Sequence, residues 1–189
     1  MKIETLVVGR MATNCYLVDG IIIDPGDDAE YIISHCKTKP TMIVATHGHF
    51  DHIMAAYALQ RAYNIPFYIH KDDIFLLSNM QSSAKHFLGL NDVDPPPKPS
   101  EIRGTQYIHT PGHTPGSICL YFKKDNILFS GDTIFANGAV GRTDHEYSDK
   151  AALSRSIQTI LSLPPETKLF PGHGEANDTI KTWHTSFKK

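Results

Sequence analysis

The chain of 189 residues is 41% hydrophobic and 20% charged, with a formal net charge of −2 at pH 7. That is the make-up of a soluble globular protein able to bury a sizeable core. The near-balanced charge, with Lys123-Lys124 and Lys188-Lys189 as the adjacent basic pairs, argues against a nucleic-acid partner, and no apolar run approaches membrane-spanning length. The start, Met1-Lys2-Ile3-Glu4, lacks the apolar stretch of a signal peptide. Cys15, Cys36 and Cys119 have no CxxC spacing and read as free thiols of a reducing compartment, so a cytoplasmic location is expected.

In chain order, residues 3–8, 16–18 and 21–23 are short apolar runs separated by turn signals and predict an opening β-meander. The third run, Ile21-Ile22-Ile23, ends in Asp24-Pro25-Gly26. Asp24 is either a plain turn residue or a carboxylate that orients neighbouring ligands. Residues 28–36 read as a surface helix. The run Met42-Ile43-Val44-Ala45 predicts a buried strand, and Ile53-Met54-Ala55-Ala56-Tyr57-Ala58-Leu59 an Ala-rich helix. Between them stands Thr46-His47-Gly48-His49-Phe50-Asp51-His52.

Beyond that cluster, Pro66–His70 predicts a strand and residues 72–80 a helix. Residues 81–100, ending in Asp94-Pro95-Pro96-Pro97-Lys98-Pro99, read as an irregular surface connection and a lip of the site. The plan then repeats. Thr105–Thr110 predicts a strand opening into Pro111-Gly112-His113-Thr114-Pro115-Gly116-Ser117. Ile118–Phe122 and Ile127–Phe129 predict a hairpin around Asp125-Asn126, running into Ser130-Gly131-Asp132-Thr133. Ser148 is the expected N-cap of a helix with the stripe Leu153, Ile157, Ile160 and Leu161. Lys168-Leu169-Phe170 predicts a last strand, ending in Pro171-Gly172-His173-Gly174, before a terminal helix near 177–186.

Three imidazoles and a carboxylate where a buried strand meets a helix are what a hydrolytic zinc-type site recruits. His47 and His49, two apart in extended backbone, project to the same side. Asp51 and His52, adjacent at a helix start, diverge by roughly 100°, so one ion hardly collects all four. His113, Asp132 and His173 occupy the same kind of strand-end position, each beside glycine. Seven ligands exceed one catalytic zinc's usual three and fit two ions sharing a carboxylate. The expected arrangement places His47, His49 and His113 on one ion and Asp51, His52 and His173 on the other. Asp132, with two oxygens, is the bridge. Of the remaining histidines, His35, His70, His86, His109, His145 and His184, those nearest the site should be His109 and His145.

These four motifs, in this order, resemble those of the metallo-β-lactamase fold superfamily, and within it the short glyoxalase II-like (hydroxyacylglutathione hydrolase-like) proteins. The resemblance runs over nearly the whole chain. It implies an α/β fold, a four-layer αββα sandwich with a dinuclear metal site at the sheet edge. It also implies one domain over 1–189, its two pseudo-repeat halves meeting near 81–104, without the C-terminal helical extension that holds glutathione in full-length glyoxalase II. The Gly141-Arg142-Thr143-Asp144 segment resembles one in the short members, making Arg142 the candidate for a substrate carboxylate; an ion pair with Asp144 is the competing role.

The implied activity is hydrolysis of a small-molecule thioester, or a related ester, by a metal-bridging hydroxide that Asp51 and Asp132 anchor. The cofactors are two divalent metal ions, zinc first, with iron or manganese as alternatives. The same ligands admit a mononuclear Fe(II) persulfide dioxygenase-like oxidoreductase, or a lactonase of the same fold.

Overall fold

The apolar runs of the first hundred residues pair into one six-stranded sheet of order β1-β2-β3-β4-β5-β6. β1 (Ile3–Val8) pairs antiparallel with β2 (Thr13–Val18), and β2 with β3 (Ile21–Ile23). The meander is the one expected, except that β2 starts at Thr13, ahead of its apolar run. Thr13, Asn14 and Cys15 lie opposite Val8, Val7 and Leu6 and extend the ladder. From β3 onward the neighbours are parallel: β4 (Met42–Val44), β5 (Phe67–Ile69) and β6 (Pro99–Glu101). Parallel pairs need crossover connections. These are α1 (Ala29–His35), α2 (Ala56–Tyr63), and the pair α3 (Ile74–Leu77) and α4 (Met80–Leu88). Ile22, Ile43, Phe67 and Ile69 of the sheet share one buried cluster with Ile32 of α1, Leu59 of α2 and Ala84 of α4.

Three expectations for this part are corrected. The helix expected over 72–80 is a 3₁₀ turn, Lys71–Asp73, followed by the four-residue α3. The helix expected from Ile53 begins only at Ala56. Phe50–His52 is a 3₁₀ turn, and the Ala55 N–H is taken by the Pro25 carbonyl, outside any helix. The stretch 81–100 is not irregular throughout. α4 occupies its first two fifths and β6 joins the sheet at its end. The helix was obscured because its buried positions, Met80 and Ala84, are one apolar pair at i, i+4 among polar residues. Gly89, with φ 69°, closes it, a backbone conformation suited to glycine. β6 was obscured because it opens on Pro99, which is tolerated at the first position of a strand.

The structure, a computed structural model, describes residues 1–101, 107–176 and 178–187. The chain divides into two compact units, Met1–Ile102 and Arg103–Lys189. The second unit carries its own four-stranded sheet of order β10-β9-β8-β7. β7 (Tyr107–His109), β8 (Ile118–Phe122) and β9 (Ile127–Gly131) are antiparallel neighbours. β10 (Lys168–Pro171) runs parallel to β9 after the crossover helix α5 (Lys150–Leu161). The β7 start expected at Thr105 and the α6 start expected at 177 fall outside the described residues. α6 is described as Ile180–Phe187. Leu153, Ile157 and Ile160 of α5 pack with Cys119, Leu128, Leu169, Ile180 and the fully buried Trp183.

α5 is capped by Asp149, not by Ser148 as expected: the Asp149 carboxylate accepts the Ala152 N–H at 2.9 Å. The three cysteines are free thiols, Cys15 and Cys119 being buried in the first and second units. Burial pushes the Cys119 thiol up to about 11. Among the described residues no helix is long and apolar enough to cross a membrane.

Candidate metal centre

Each predicted ligand sits just beyond the carboxyl end of a strand. In the first unit all four come from the loop that leaves β4. A buried hydrogen-bond network sets their tautomers. Asp24, at the end of β3, accepts the Thr46 N–H at 2.6 Å and the Thr46 hydroxyl at 2.7 Å, and faces His52 Nδ1 at 3.0 Å. A carboxylate accepts, so His52 Nδ1 carries the hydrogen. Its Nε2 is then the lone-pair nitrogen, 3.7 Å from Asp51 Oδ2. Thr46 has given its hydrogen to Asp24, so its oxygen accepts from His47 Nδ1 at 3.1 Å. His47 Nε2 is thereby left as the lone-pair atom, 3.1 Å from His49 Nδ1. Asp24 is thus a turn residue with φ 50° whose carboxylate also holds Thr46 and the candidate ligand His52. His47, Asp51 and His52 are buried and His49 is half-buried.

In the second unit the candidate ligands arrive from three separate strand ends. His113 follows β7, Asp132 follows β9 and His173 follows β10. His113 Nδ1 donates to the Arg142 carbonyl at 2.9 Å, which turns its Nε2 to Asp132 Oδ2 at 3.6 Å. His173 Nε2 stands 3.6 Å from the same Oδ2. One carboxylate oxygen therefore lies between two imidazole nitrogens. The Ser148 hydroxyl, displaced from the expected capping role, donates instead to the His113 carbonyl at 2.7 Å. Gly141 lets the chain pass close behind these ligands. A Cβ there would meet the Asp132 carbonyl oxygen at 2.0 Å and His113 Cβ at 3.1 Å, so a larger residue would push both aside.

The donor sets fit a divalent ion of the zinc type. Two ligands at about 2.0–2.1 Å from one tetrahedral zinc lie ~3.3 Å apart. The separations within the units, 3.1, 3.6 and 3.7 Å, bracket that value. His47, His52 and His113, whose Nδ1 atoms bond Thr46, Asp24 and the Arg142 carbonyl, keep a lone pair on Nε2, the arrangement metal-bound histidines adopt.

The Arg142 side chain forms a fork on Asp144, with Nε at 3.0 Å and Nη2 at 2.8 Å from its carboxylate oxygens. That pairing raises the Arg142 pKa and lowers that of Asp144. The ion pair weighed against the substrate role therefore exists, and the Arg142 backbone carbonyl has a separate task in holding His113. His145 does approach the ligands. Its ring lies 6.3 Å from that of His113 and stacks on Tyr147 at 5.1 Å. Burial, then the neighbouring His113 and Arg142, lower its pKa. His109 instead bonds the Pro115 carbonyl at 2.8 Å. His35 bonds the Tyr31 carbonyl, His70 caps the 3₁₀ turn Lys71–Asp73, His86 stands edge-on to Phe87, and His184 lies in α6.

Sequence reasoning missed Ser148, Gly141 and Asp73 as supports of the ligands. The carboxylate of Asp73 accepts the Gly48 N–H at 2.8 Å. The one signal pointing to Asp73 is that it, too, follows the end of a buried strand, β5.

Residues 8–173 match the family model described as the metallo-beta-lactamase superfamily. The chain is 31% identical over 195 residues to a protein of Haemophilus influenzae named hydroxyacylglutathione hydrolase GloC, covering 92% of this chain and 91% of that protein. It is 31% identical over 198 residues to the probable metallo-hydrolase YqgX of Bacillus subtilis, covering 95% and 93%. The crystal structure of TTHA1623 in a di-iron-bound form superposes with a TM-score of 0.87 at 34% identity, covering 97% of this chain and 98% of that one.

Proposed function

Because the chain belongs to the metallo-β-lactamase superfamily and has the fold and donors of its metal-dependent hydrolases, we propose that it hydrolyses a small-molecule thioester of the hydroxyacylglutathione type. In this reading His47, His49 and His113 would hold one ion and Asp51, His52 and His173 the other, with Asp132 available to both. The observation that carries it is the placing of Asp132 Oδ2 at 3.6 Å from both His113 Nε2 and His173 Nε2. One oxygen set between two imidazole nitrogens, each assigned in this reading to a different ion, would suit a shared ligand. The name of the Haemophilus relative supports the thioester class.

When bound, the ions supply Lewis acidity and lower the pKa of a water from 15.7 to about 7. The chain supplies the rest. Asp51 and Asp132 orient the attacking water through their carboxylate oxygens. Asp24 and Thr46 hold His52 and His47 in the tautomers that present Nε2. The Arg142 carbonyl does the same for His113. A thiolate leaves without a strong general acid, which suits a site rich in imidazole ligands and carboxylates. Arg142 remains the proposed contact for a substrate carboxylate. Its side chain is 66% exposed, and Asp144 engages Nε and Nη2 of a guanidinium that has five N–H donors.

A second reading is persulfide dioxygenase-like chemistry at a single Fe(II); the di-iron-bound form of TTHA1623 supports iron as a metal for such donors. The two separate on zinc, a d¹⁰ ion without redox chemistry. Zinc-loaded protein under anaerobic conditions is expected to cleave S-D-lactoylglutathione or a similar thioester. Rapid oxygen uptake by the Fe(II) form given glutathione persulfide, with negligible thioester cleavage by the zinc form, would overturn the hydrolase reading.

A further inference from the structure

We propose that Asp73 is a positioning residue that fixes the His47–His49 pair by gripping the peptide between them. The inference rests on the reading that this pair holds one ion.

β4, which carries the ligand loop, lies between β3 and β5 in the sheet. The strand on one side ends in Asp24, whose carboxylate holds Thr46 and His52. The strand on the other side, β5, leads through His70 into the 3₁₀ turn Lys71–Asp73. Asp73 is fully buried, and its Oδ2 accepts the Gly48 N–H at 2.8 Å. The two flanking strands thus each send a buried carboxylate to the loop, one before His47 and one between His47 and His49.

The turn that presents Asp73 is itself tied down. The His70 carbonyl accepts the Asp73 N–H at 3.0 Å, and His70 Nδ1 accepts the Asp72 N–H at 3.3 Å. β5 is in turn registered on β4 by the Ala45 N–H, which donates to the Tyr68 carbonyl at 2.9 Å. Gly48 is pressed onto the same turn. A Cβ there would stand 2.8 Å from Leu76 Cβ and 2.9 Å from the Asp73 carbonyl oxygen, so only glycine brings its N–H this close to the carboxylate. The 3.1 Å spacing of His47 Nε2 and His49 Nδ1 is therefore set by a chain of contacts running from β5 through Asp73 to the Gly48 peptide. A plain core residue would stabilise the unit. A positioning residue, in addition, governs one ion and spares the other.

The test is cobalt titration of metal-free protein, followed by visible absorption, for the wild type, Asp73→Ala, Asp73→Asn and Gly48→Ala. Asp73→Ala is expected to weaken one of the two bound cobalt ions by about 10–100-fold, the usual cost of losing a residue that orients ligands. It should change that ion's absorption bands and leave the other ion as in the wild type. Asp73→Asn keeps an acceptor oxygen for Gly48 and should restore the spectrum. Gly48→Ala moves the same peptide from the Leu76 side and should produce the same selective loss, which covers the case of Asp73→Ala failing to fold. Wild-type affinity and spectrum for both ions in whichever of Asp73→Ala and Gly48→Ala folds would overturn the proposal. Wild-type protein that takes up no cobalt would overturn the metal reading itself, before any variant is compared.

Discussion

Asp24 holds a Thr46 N–H, a Thr46 hydroxyl and a His52 Nδ1 on two carboxylate oxygens, all buried. That makes it the residue whose smallest change has a sharp chemical consequence. Asp24→Asn fits the backbone, since asparagine tolerates the left-handed region in which Asp24 stands at φ 50°. The amide can still accept from Thr46 N–H, but its NH₂ then faces His52 Nδ1. That contact favours the tautomer with hydrogen on Nε2, the nitrogen turned to Asp51. The expected outcome is a folded protein that binds metal about 10–100-fold more weakly, measured by competition with a chelator. Unchanged affinity would show that Asp24 is only a turn residue.

The seven candidate ligands were legible at this scale because residue type and strand-end placement are local signals. Asp73, Ser148 and Gly141 were not, because each acts on a ligand distant in sequence: Gly48, His113 and Asp132. Nothing in Ser148 itself distinguishes a helix cap from a hydroxyl that holds the His113 carbonyl.

Among the elements, those with a strong period were read correctly and those with a weak one were not. The hairpin of β8 and β9 shows the expected turn, with Asn126 at φ 52°. α5 has its apolar stripe as predicted, with Leu153, Ile157 and Ile160 buried. α4 and β6 were hidden, the one by a thin apolar face and the other by its opening proline. At the start of α5 the competition between two neighbouring cap candidates was decided by the reach of Asp149 to the Ala152 N–H. Asp149→Ala should therefore cost about 1 kcal/mol, lowering the melting temperature by roughly 2–4 °C in a chain of this size. Calorimetry of the two proteins checks this, and an unchanged melting temperature would return the cap to Ser148.

For the whole molecule, the two units use different means to the same end. The first carries four candidate ligands on one loop, so they stand out together as a motif. The second gathers three from separate strand ends, and there only the recurrence of glycine beside an apolar run pointed to them. The two-sheet α/β plan was foreseen, although α4 and β6 within it were not. The proposed coupling of the two ligand sets through Asp132 makes metal a partner of folding, since an ion that binds only the native state stabilises it by mass action. The most direct measurement is metal content per chain after zinc reconstitution, for the wild type, His173→Ala and Asp132→Ala. Two ions in the wild type, one in His173→Ala and weakened binding of both in Asp132→Ala are expected. A wild type that saturates at one ion, with His173→Ala unchanged, would contradict the shared-carboxylate centre.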